Sequence, residues 1–158
     1  MQVRPADPKD VDPLAAIWHE AWHETHARLV PRALTEQRTL ESLRARLIAA
    51  LTSVRVVGDV GAPLGFCIAK DDELYQLFVA PAARGSGAAV ALLADGEARL
   101  AANGVLTAWL ACAIGNERAA RFYEKHGWRR IGTMVNHAET SNGTFPLEVW
   151  RYEKVLQR

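Results

Sequence analysis

Residues 79–89, Val-Ala-Pro-Ala-Ala-Arg-Gly-Ser-Gly-Ala-Ala, are the stretch of this 158-residue chain that decides its fold. An apolar strand stops at Pro81, the chain turns through Gly85 and Gly87, and an Ala/Leu-rich helix follows. Backbone N–H groups at such a helix start have no partner within the helix, and the helix dipole attracts anions to them. The glycines let a phosphate approach the backbone closely, and Arg84 adds positive charge. The stretch predicts a strand–turn–helix unit, which is either a phosphate site or a plain turn.

The neighbouring residues narrow down the kind of phosphate ligand. No Gly-Lys-Ser/Thr sequence ends the turn, so the unit is not the phosphate loop of P-loop proteins. Val90 stands where a dinucleotide-binding turn has its third glycine. The next strand, Val105–Ala113, ends without the acidic residue that binds a ribose. The pattern therefore favours a phosphate-bearing cofactor of another class.

Hydrophobic periodicity and turn residues divide the rest of the chain into helices and strands. The predicted strands cover Val3–Pro5, Val54–Val57, Leu64–Ala69, Leu74–Val79, Val105–Ala113, Trp128–Val135 and Phe145–Lys154. The predicted helices cover about Pro8–Thr25, Thr35–Leu51, the segment from the glycine turn to about Ala102, and Asn116–His126. A loop that contains Asn142-Gly143 joins the last two strands. This order predicts one mixed α/β domain over residues 1–158.

Three motifs together resemble the GCN5-related N-acetyltransferase family. Arg84-x-x-Gly87-x-Ala89 is similar to the family's R/Q-x-x-G-x-G/A pyrophosphate loop, with alanine in place of the last glycine. The strand 74–79 precedes it as in the family, and residues 116–128 resemble the family pattern N-x-x-A-x-x-F-Y-x-K-x-G-F. The resemblance spans essentially the whole chain. It implies a single-domain α/β fold with a mixed central sheet of about six or seven strands and about four flanking helices.

The resemblance also implies transfer of an acetyl group from acetyl-CoA to a primary amine. Asn116 would then contact the CoA arm, and Tyr123 would lie near the sulfur. An amide in the strand would polarise the thioester carbonyl, and Arg84 would lie near the pyrophosphate. The backbone is expected to hold the cofactor at Leu77, Phe78 and Val79, which pair with pantetheine, and at Gly85, Ser86, Gly87, Ala88 and Ala89, which bind the pyrophosphate.

The chemistry of amine acetylation selects the candidate catalytic residues. An alkyl ammonium has a pKa of about 10, so a base must produce the neutral amine before attack. Glu73, at the start of the central strand, is the candidate base, and a solvated strand-start acid is the alternative. Tyr123 is the candidate acid for the departing thiolate, and a packed core aromatic is the alternative. Cys112 has no visible base beside it, which disfavours an acyl relay.

Residues 18–26, Trp-His-Glu-Ala-Trp-His-Glu-Thr-His, contain a zinc-protease spacing in His19-Glu20-x-x-His23. On a helical wheel we expect the apolar stripe that includes Trp22 to face the core, with His19, His23 and His26 on the opposite side. A catalytic zinc needs a cleft and a third ligand, so we expect no required metal. A zinc hydrolase, and non-catalytic metal binding by the three histidines, are the alternatives. Since the first helix borders the acceptor site in the family, Trp22, His23 and His26 are candidate acceptor contacts, and a solvated helix face is the alternative.

Composition bounds the remaining possibilities. The formal net charge of +1 gives no reason to expect a nucleic-acid or membrane partner. Cys67 and Cys112 lie in apolar runs, which indicates reduced core thiols, and no secretory signal is visible at the start of the chain, so we expect a cytoplasmic protein. The alternative to an enzyme is an acyl-CoA-binding sensor without turnover. The acceptor stays open between a small-molecule amine and a protein amine, and exposed C-terminal strands could pair in a homodimer.

Overall fold

The computed structural model describes residues 1–157, which form a seven-stranded mixed sheet flanked by five α-helices. The strands are β1 (Val3–Pro5), β2 (Val54–Asp59), β3 (Ala62–Lys70), β4 (Glu73–Val79), β5 (Thr107–Ala113), β6 (Arg129–Thr140) and β7 (Gly143–Val155). The helices are α1 (Val11–His26), α2 (Arg32–Gln37), α3 (Leu40–Ala50), α4 (Ala88–Ala102) and α5 (Glu117–Lys125). The strand order is β1-β2-β3-β4-β5-β7-β6. The predicted fold class is confirmed.

The two faces of the sheet are buried under different helices. Phe66 and Ile68 of β3 pack in one cluster with the apolar side chains of α1 and α3, whereas Cys67 between them packs in a second cluster with α4. On that second face Gly96 brings α4 close to the sheet, since a Cβ there would lie 2.8 Å from Leu74 Cδ1. Both faces therefore have a core, and α1 and α4 lie on opposite sides of β4.

The sheet opens between its two central strands. Within residues 1–157, β4 and β5 form the one parallel pair, and only Glu73 and Trp109 are in register. The Trp109 N–H donates to the Asp72 carbonyl (3.1 Å), and its indole N–H donates to the Asp72 carboxylate (3.0 Å), so this end is fixed. Beyond it the strands diverge, and residues 75–79 stay partly exposed although their strand is central. The divergence therefore leaves a cleft in the middle of the sheet.

The C-terminal hairpin is longer than the sequence predicted. β6 runs to Thr140 and β7 begins at Gly143, so the loop is only Ser141 and Asn142, and the expected ending of the strand at Val135 is wrong. Residues 136–140 are mostly polar, and β6 is an edge strand whose residues need no continuous apolar pattern. Pairing of this edge in a homodimer stays a prediction.

The segment between α1 and β2 also differs from the prediction. The single helix expected from Thr35 to Leu51 is two helices, since α2 ends at Gln37 and α3 begins at Leu40. The Thr39 side chain accepts a hydrogen bond from the Ser42 N–H (3.1 Å) and caps α3, which separates the two helices. Arg38 lies at this junction.

The two cysteines are free and buried, as the sequence predicted. Burial raises the pKa of both Cys67 and Cys112 to about 12, so each is a protonated thiol near neutral pH. This state does not suit Cys112 to a role as a nucleophile. Within residues 1–157, no helix is both long and apolar enough to cross a membrane.

Candidate active site

The divergence of β4 and β5 opens a cleft of about 670 Å³. One wall is the free edge of β4 with the buried face of α1, and the other is β5 with α5. The glycine turn before α4 closes one end, which we call the loop end. Glu73, the junction at Arg38 and the β6–β7 hairpin line the other, which we call the acceptor end. A thin, elongated molecule that lies along β4 would join the two ends.

The loop end has the backbone conformation that an anion site requires. Gly85 and Gly87 have φ of +80° and +91°, and a Cβ at either position would meet nothing within 4 Å. The Ala91 N–H donates to the Gly87 carbonyl (3.0 Å), so the amides before Ala91 lie outside the helical ladder. The Ser86 hydroxyl accepts from the Ala88 N–H at 3.3 Å. The space above Gly85 and Gly87 is open, and binding of a pyrophosphate by Gly85, Ser86, Gly87, Ala88 and Ala89 stays a prediction.

Arg84 lies beside this turn, and its guanidinium forms an ion pair across the cleft mouth. Its Nη1 is 2.7 Å from a carboxylate oxygen of Glu24 on α1, and Arg118 of α5 is 3.8 Å from the same oxygen. All three side chains are substantially exposed, so the pairing contributes little and can exchange for another anion. Two cations are thus available where the loop end opens to solvent.

Glu73 lies at the acceptor end, where β4 leaves its pairing with β5. Burial raises the pKa of its carboxyl to about 7, while the nearby Lys70 opposes this effect and Asp72 and Glu139 add to it. A carboxyl with this pKa exchanges a proton near neutral pH, as a general base must. The structure thus gives Glu73 the electrostatic environment that its predicted role needs. The role itself stays a prediction.

Tyr123 lines the opposite wall from α5. Its ring lies 5.4 Å from Phe122 and 6.2 Å from Trp128, measured between ring centroids, so packing fixes its position. Burial, with smaller effects from Cys112 and Cys67, raises the pKa of its phenol, so the phenol holds its proton more tightly than a free tyrosine. This makes it a weaker acid, and its role as proton donor stays a prediction.

Asn116 also lines the cleft, but its side chain has a structural task. Its Oδ1 accepts a hydrogen bond from the Ala119 N–H (3.3 Å) and caps α5, as the sequence predicted for the helix start. Gly127 ends the helix with a φ of +89°. Any contact of Asn116 with a ligand would have to use its amide nitrogen, and this contact stays a prediction.

The three histidines of α1 do not cluster, which corrects the helical-wheel prediction. His26 follows Trp22 by four residues and so lies on the same face. Its ring stacks on Trp22 at 5.3 Å and lines the cleft. His23 instead donates from Nε2 to the Arg38 carbonyl (2.6 Å), and its ring is 4.3 Å from that of His19. Among residues 1–157, no group of three or more metal-ligating side chains is placed to hold an ion.

The structure thus divides the predicted acceptor contacts. Trp22 and His26 line the cleft, whereas His23 forms a hydrogen bond with the main-chain carbonyl of Arg38. The acceptor end is completed by four residues that the sequence did not single out, namely Arg38, Arg46, Tyr75 and Glu139. Arg46 donates to the Tyr75 hydroxyl (2.9 Å), and the guanidinium of Arg38 lies 5.7 Å from the Trp22 ring.

His26 should make the fold sensitive to acid. Burial lowers its pKa from an ordinary 6.5 to about 4, so unfolding is accompanied by proton uptake between these values. Stability is therefore present above pH 6.5 and is lost as pH falls towards 4, by about 3 kcal/mol for this group. We expect His26→Gln to flatten the dependence of the unfolding free energy on pH in this window. His137→Gln, at an exposed histidine, is the control, and equal slopes for both variants would contradict the assignment.

Comparison with known proteins places this geometry in one family. The sequence profile of the acetyltransferase (GNAT) family matches residues 11–128. A protein of Mycobacterium tuberculosis described as an uncharacterized N-acetyltransferase is 41% identical over 66 residues, which are 42% of this chain and 42% of that protein. The matched region thus spans less than half of that relative's length.

Solved structures show the same fold over almost the whole chain. A GCN5-related N-acetyltransferase from Rhodopseudomonas palustris has a TM-score of 0.77 at 22% identity, covering 98% of this chain and 94% of that one. The PaiA N-acetyltransferase from Thermoplasma acidophilum, solved in complex with coenzyme A, has a TM-score of 0.70 at 19% identity, covering 98% of both chains. The family resemblance predicted from the three motifs is confirmed, and the chain belongs to the acetyltransferase (GNAT) family.

Proposed function

We propose that this chain is an acetyl-CoA-dependent N-acetyltransferase that acts by direct transfer on the primary amine of a small molecule. The observation that carries the proposal is the cleft between β4 and β5. It connects an anion-binding turn at one end with a carboxyl of pKa about 7 at the other. The coenzyme A complex of the Thermoplasma relative supports the same cofactor here.

The residues along the cleft suit the parts of acetyl-CoA in order. The open turn at Gly85 and Gly87, with Arg84 beside it, would hold the pyrophosphate. The unpaired edge of β4 at Leu77, Phe78 and Val79 offers backbone donors and acceptors to the pantetheine amides, as an additional strand would use them. When bound, acetyl-CoA supplies an acetyl group activated as a thioester.

The reaction then needs two proton movements, for which the cleft has one group each. Glu73 accepts a proton from the acceptor ammonium, directly or through water, so that the neutral nitrogen can attack the acetyl carbon. As the new C–N bond forms and the C–S bond breaks, the Tyr123 hydroxyl donates a proton to the departing sulfur. The amine's remaining extra proton and the proton held by Glu73 leave to solvent, and the phenol regains a proton from solvent.

Replacement of Tyr123 by phenylalanine tests the proton donor. We expect kcat to fall by about tenfold to a hundredfold, since general acid assistance is lost while the packing of the ring is kept. The dissociation constant for acetyl-CoA should stay unchanged. Phe122→Leu, at the neighbouring position, is the control for packing of α5. Unchanged kcat in Tyr123→Phe, with transfer still measurable, would leave Tyr123 as a core aromatic.

The experiment for the proposed function combines binding and turnover. Calorimetry measures the affinity for acetyl-CoA, and release of free CoA thiol is followed with a panel of primary amines. Binding together with amine-dependent thiol release supports the transferase. Binding without release on any amine supports a sensor that holds acyl-CoA without turnover, and absence of binding defeats both. The raised pKa of Glu73 favours the enzyme, because a purely binding site has no need for a buried, titrating carboxyl.

A further inference from the structure

Arg38 is an unusual side chain at the acceptor end of the cleft. Only 6% of its surface is exposed, and it lines the cleft. One terminal nitrogen, Nη1, donates to the main-chain carbonyl of Glu139, whereas the buried Nε–H has no hydrogen-bond partner within residues 1–157. Buried guanidinium groups are normally paired, and an unpaired donor costs stability. The Nε–H, on the guanidinium edge formed by Nε and Nη2, is therefore left without a protein partner.

The position of Arg38 is held by contacts that leave this edge free. Its N–H donates to the Thr35 carbonyl (3.1 Å), and its own carbonyl accepts from His23 Nε2 (2.6 Å). The guanidinium lies over the Trp22 ring at 5.7 Å. The main chain is thus fixed from α1 and α2, while Trp22 and Glu139 orient the head group. The Nε–H is thus an unpartnered donor in a fixed orientation, but the Nε atom is itself buried, so a carboxylate reaches it only when the side chains that cover it shift.

The charges around Arg38 leave room for a negative ligand. Burial, and next the charge of Arg46, lower the pKa of Arg38 to about 10, while Tyr75 and Glu139 oppose this effect, so the guanidinium is still positively charged at neutral pH. Glu139 is the nearby carboxylate, but it already pairs with Lys70 at 3.0 Å. With Glu73 ionised, as the proposed base must be, the cations Arg38, Arg46 and Lys70 outnumber the carboxylates Glu73 and Glu139, and Arg151 and Asp72 add one charge of each sign near Glu73. A carboxylate on the acceptor would correct this imbalance.

Glu139 also relates Arg38 to the candidate base. Its charge raises the pKa of both Arg38 and Glu73, so the guanidinium and the Glu73 carboxyl lie near the same group. Both side chains line the acceptor end of the cleft. A molecule that carries both an amine and a carboxylate can therefore reach the base with one group and Arg38 with the other.

We infer that the acceptor is a small primary amine of the α-amino-acid type, whose carboxylate binds Arg38 while its amine faces Glu73. The inference rests on the proposed function and names its substrate class. The Nε and Nη2 edge of a guanidinium matches the two oxygens of a carboxylate. The rings of Trp22 and Tyr75 line the cleft beside Arg38 and Arg46, which favours an apolar or aromatic side chain on the acceptor.

The test compares amino acids with their own α-amides, which lack the negative charge. Thiol release is measured for glycine, for the L-amino acids with a primary amine and for the amides of each, with wild-type protein and with Arg38→Gln. We expect wild type to prefer acids, and Arg38→Gln to lower kcat/KM for acids by at least about tenfold while amides change by less than about twofold. An amino acid and its amide differ in amine basicity, but this difference is the same for both proteins. It therefore cancels when the acid-to-amide ratio of kcat/KM in wild type is compared with that in Arg38→Gln. The dissociation constant for acetyl-CoA should stay the same in both proteins.

A second measurement uses wild-type protein alone, in case Arg38→Gln does not fold. The unreactive carboxylate 3-phenylpropionate should inhibit competitively against the amine acceptor, and 3-phenylpropionamide should not. Equal use of acids and amides, an equal loss on both in Arg38→Gln, or transfer only to peptide or polyamine acceptors would overturn the inference and leave the proposed function standing. Failure to bind acetyl-CoA would overturn both.

Discussion

Replacing Glu73 with glutamine should lower kcat/KM for amine acetylation by about 10²- to 10⁴-fold, which is the usual contribution of a general base. The amide has nearly the same shape but cannot accept the ammonium proton. In wild type, kcat/KM should rise with pH through about 7, where the Glu73 carboxyl loses its proton, and this inflection should be absent from the variant. Thiol release measured across pH with saturating acetyl-CoA gives both results.

The same substitution should stabilise the fold above neutral pH. The pKa of Glu73 is raised from an ordinary 4.5 to about 7 in the folded state, so the folded protein holds this proton more tightly than the unfolded chain. The contribution of Glu73 to stability is therefore lost as pH rises through this window. We expect Glu73→Gln to have a higher Tm than wild type at pH 8 and a smaller difference at pH 5.

Glu148→Gln is the matched control, because Glu148 is an exposed carboxylate on β7 outside the cleft. It should change neither the pH profile nor the Tm difference. A Glu73→Gln variant that binds acetyl-CoA and keeps its wild-type rate would show that another group, or water, takes the proton. A lower Tm at pH 8 would show instead that the ionised carboxylate is stabilised by contacts such as that with Lys70.

The features that sequence could predict are those encoded over short distances. The glycine turn, the Asn116 cap of α5 and the buried cysteines each depend on residues within a few positions of one another, and all were placed correctly. Glu73 is a candidate base from sequence because it begins a strand next to the family motif, and its role stays a prediction. These features depend on residues that are close in sequence, so a sequence motif is enough to predict them.

The acceptor end was missed because it is assembled from distant segments. Arg38 and Glu139 are 101 residues apart, and they meet only because α2 ends early and β6 continues past Val135. Neither event has a strong local signal, since Thr39 is an ordinary cap and the end of β6 is polar. His26 is a different case. Its spacing of four residues from Trp22 is a local signal that places it on the buried face of α1.

Replacing Gly87 with glutamate should weaken binding of acetyl-CoA by about a hundredfold or more. Gly87 has a φ of +91°, and the space above its backbone is open, so the new side chain would occupy the proposed pyrophosphate site. A carboxylate close to the pyrophosphate would oppose binding by about 3 kcal/mol, which corresponds to about a hundredfold in Kd. Calorimetric titration with acetyl-CoA measures the change directly.

The control must separate this effect from backbone strain. Gly104, after α4, has a similar φ of +84° and equally open surroundings, but it does not line the cleft. Gly104→Glu should therefore lose the same stability, about 1–2 kcal/mol for a side chain in the left-handed region, while it keeps its affinity for acetyl-CoA. Equal affinities in the two variants would place the pyrophosphate elsewhere. Since Arg84 and Arg118 already lie at the cleft mouth, a loss confined to Gly87→Glu would show that the backbone turn, in addition to these cations, recognises the cofactor.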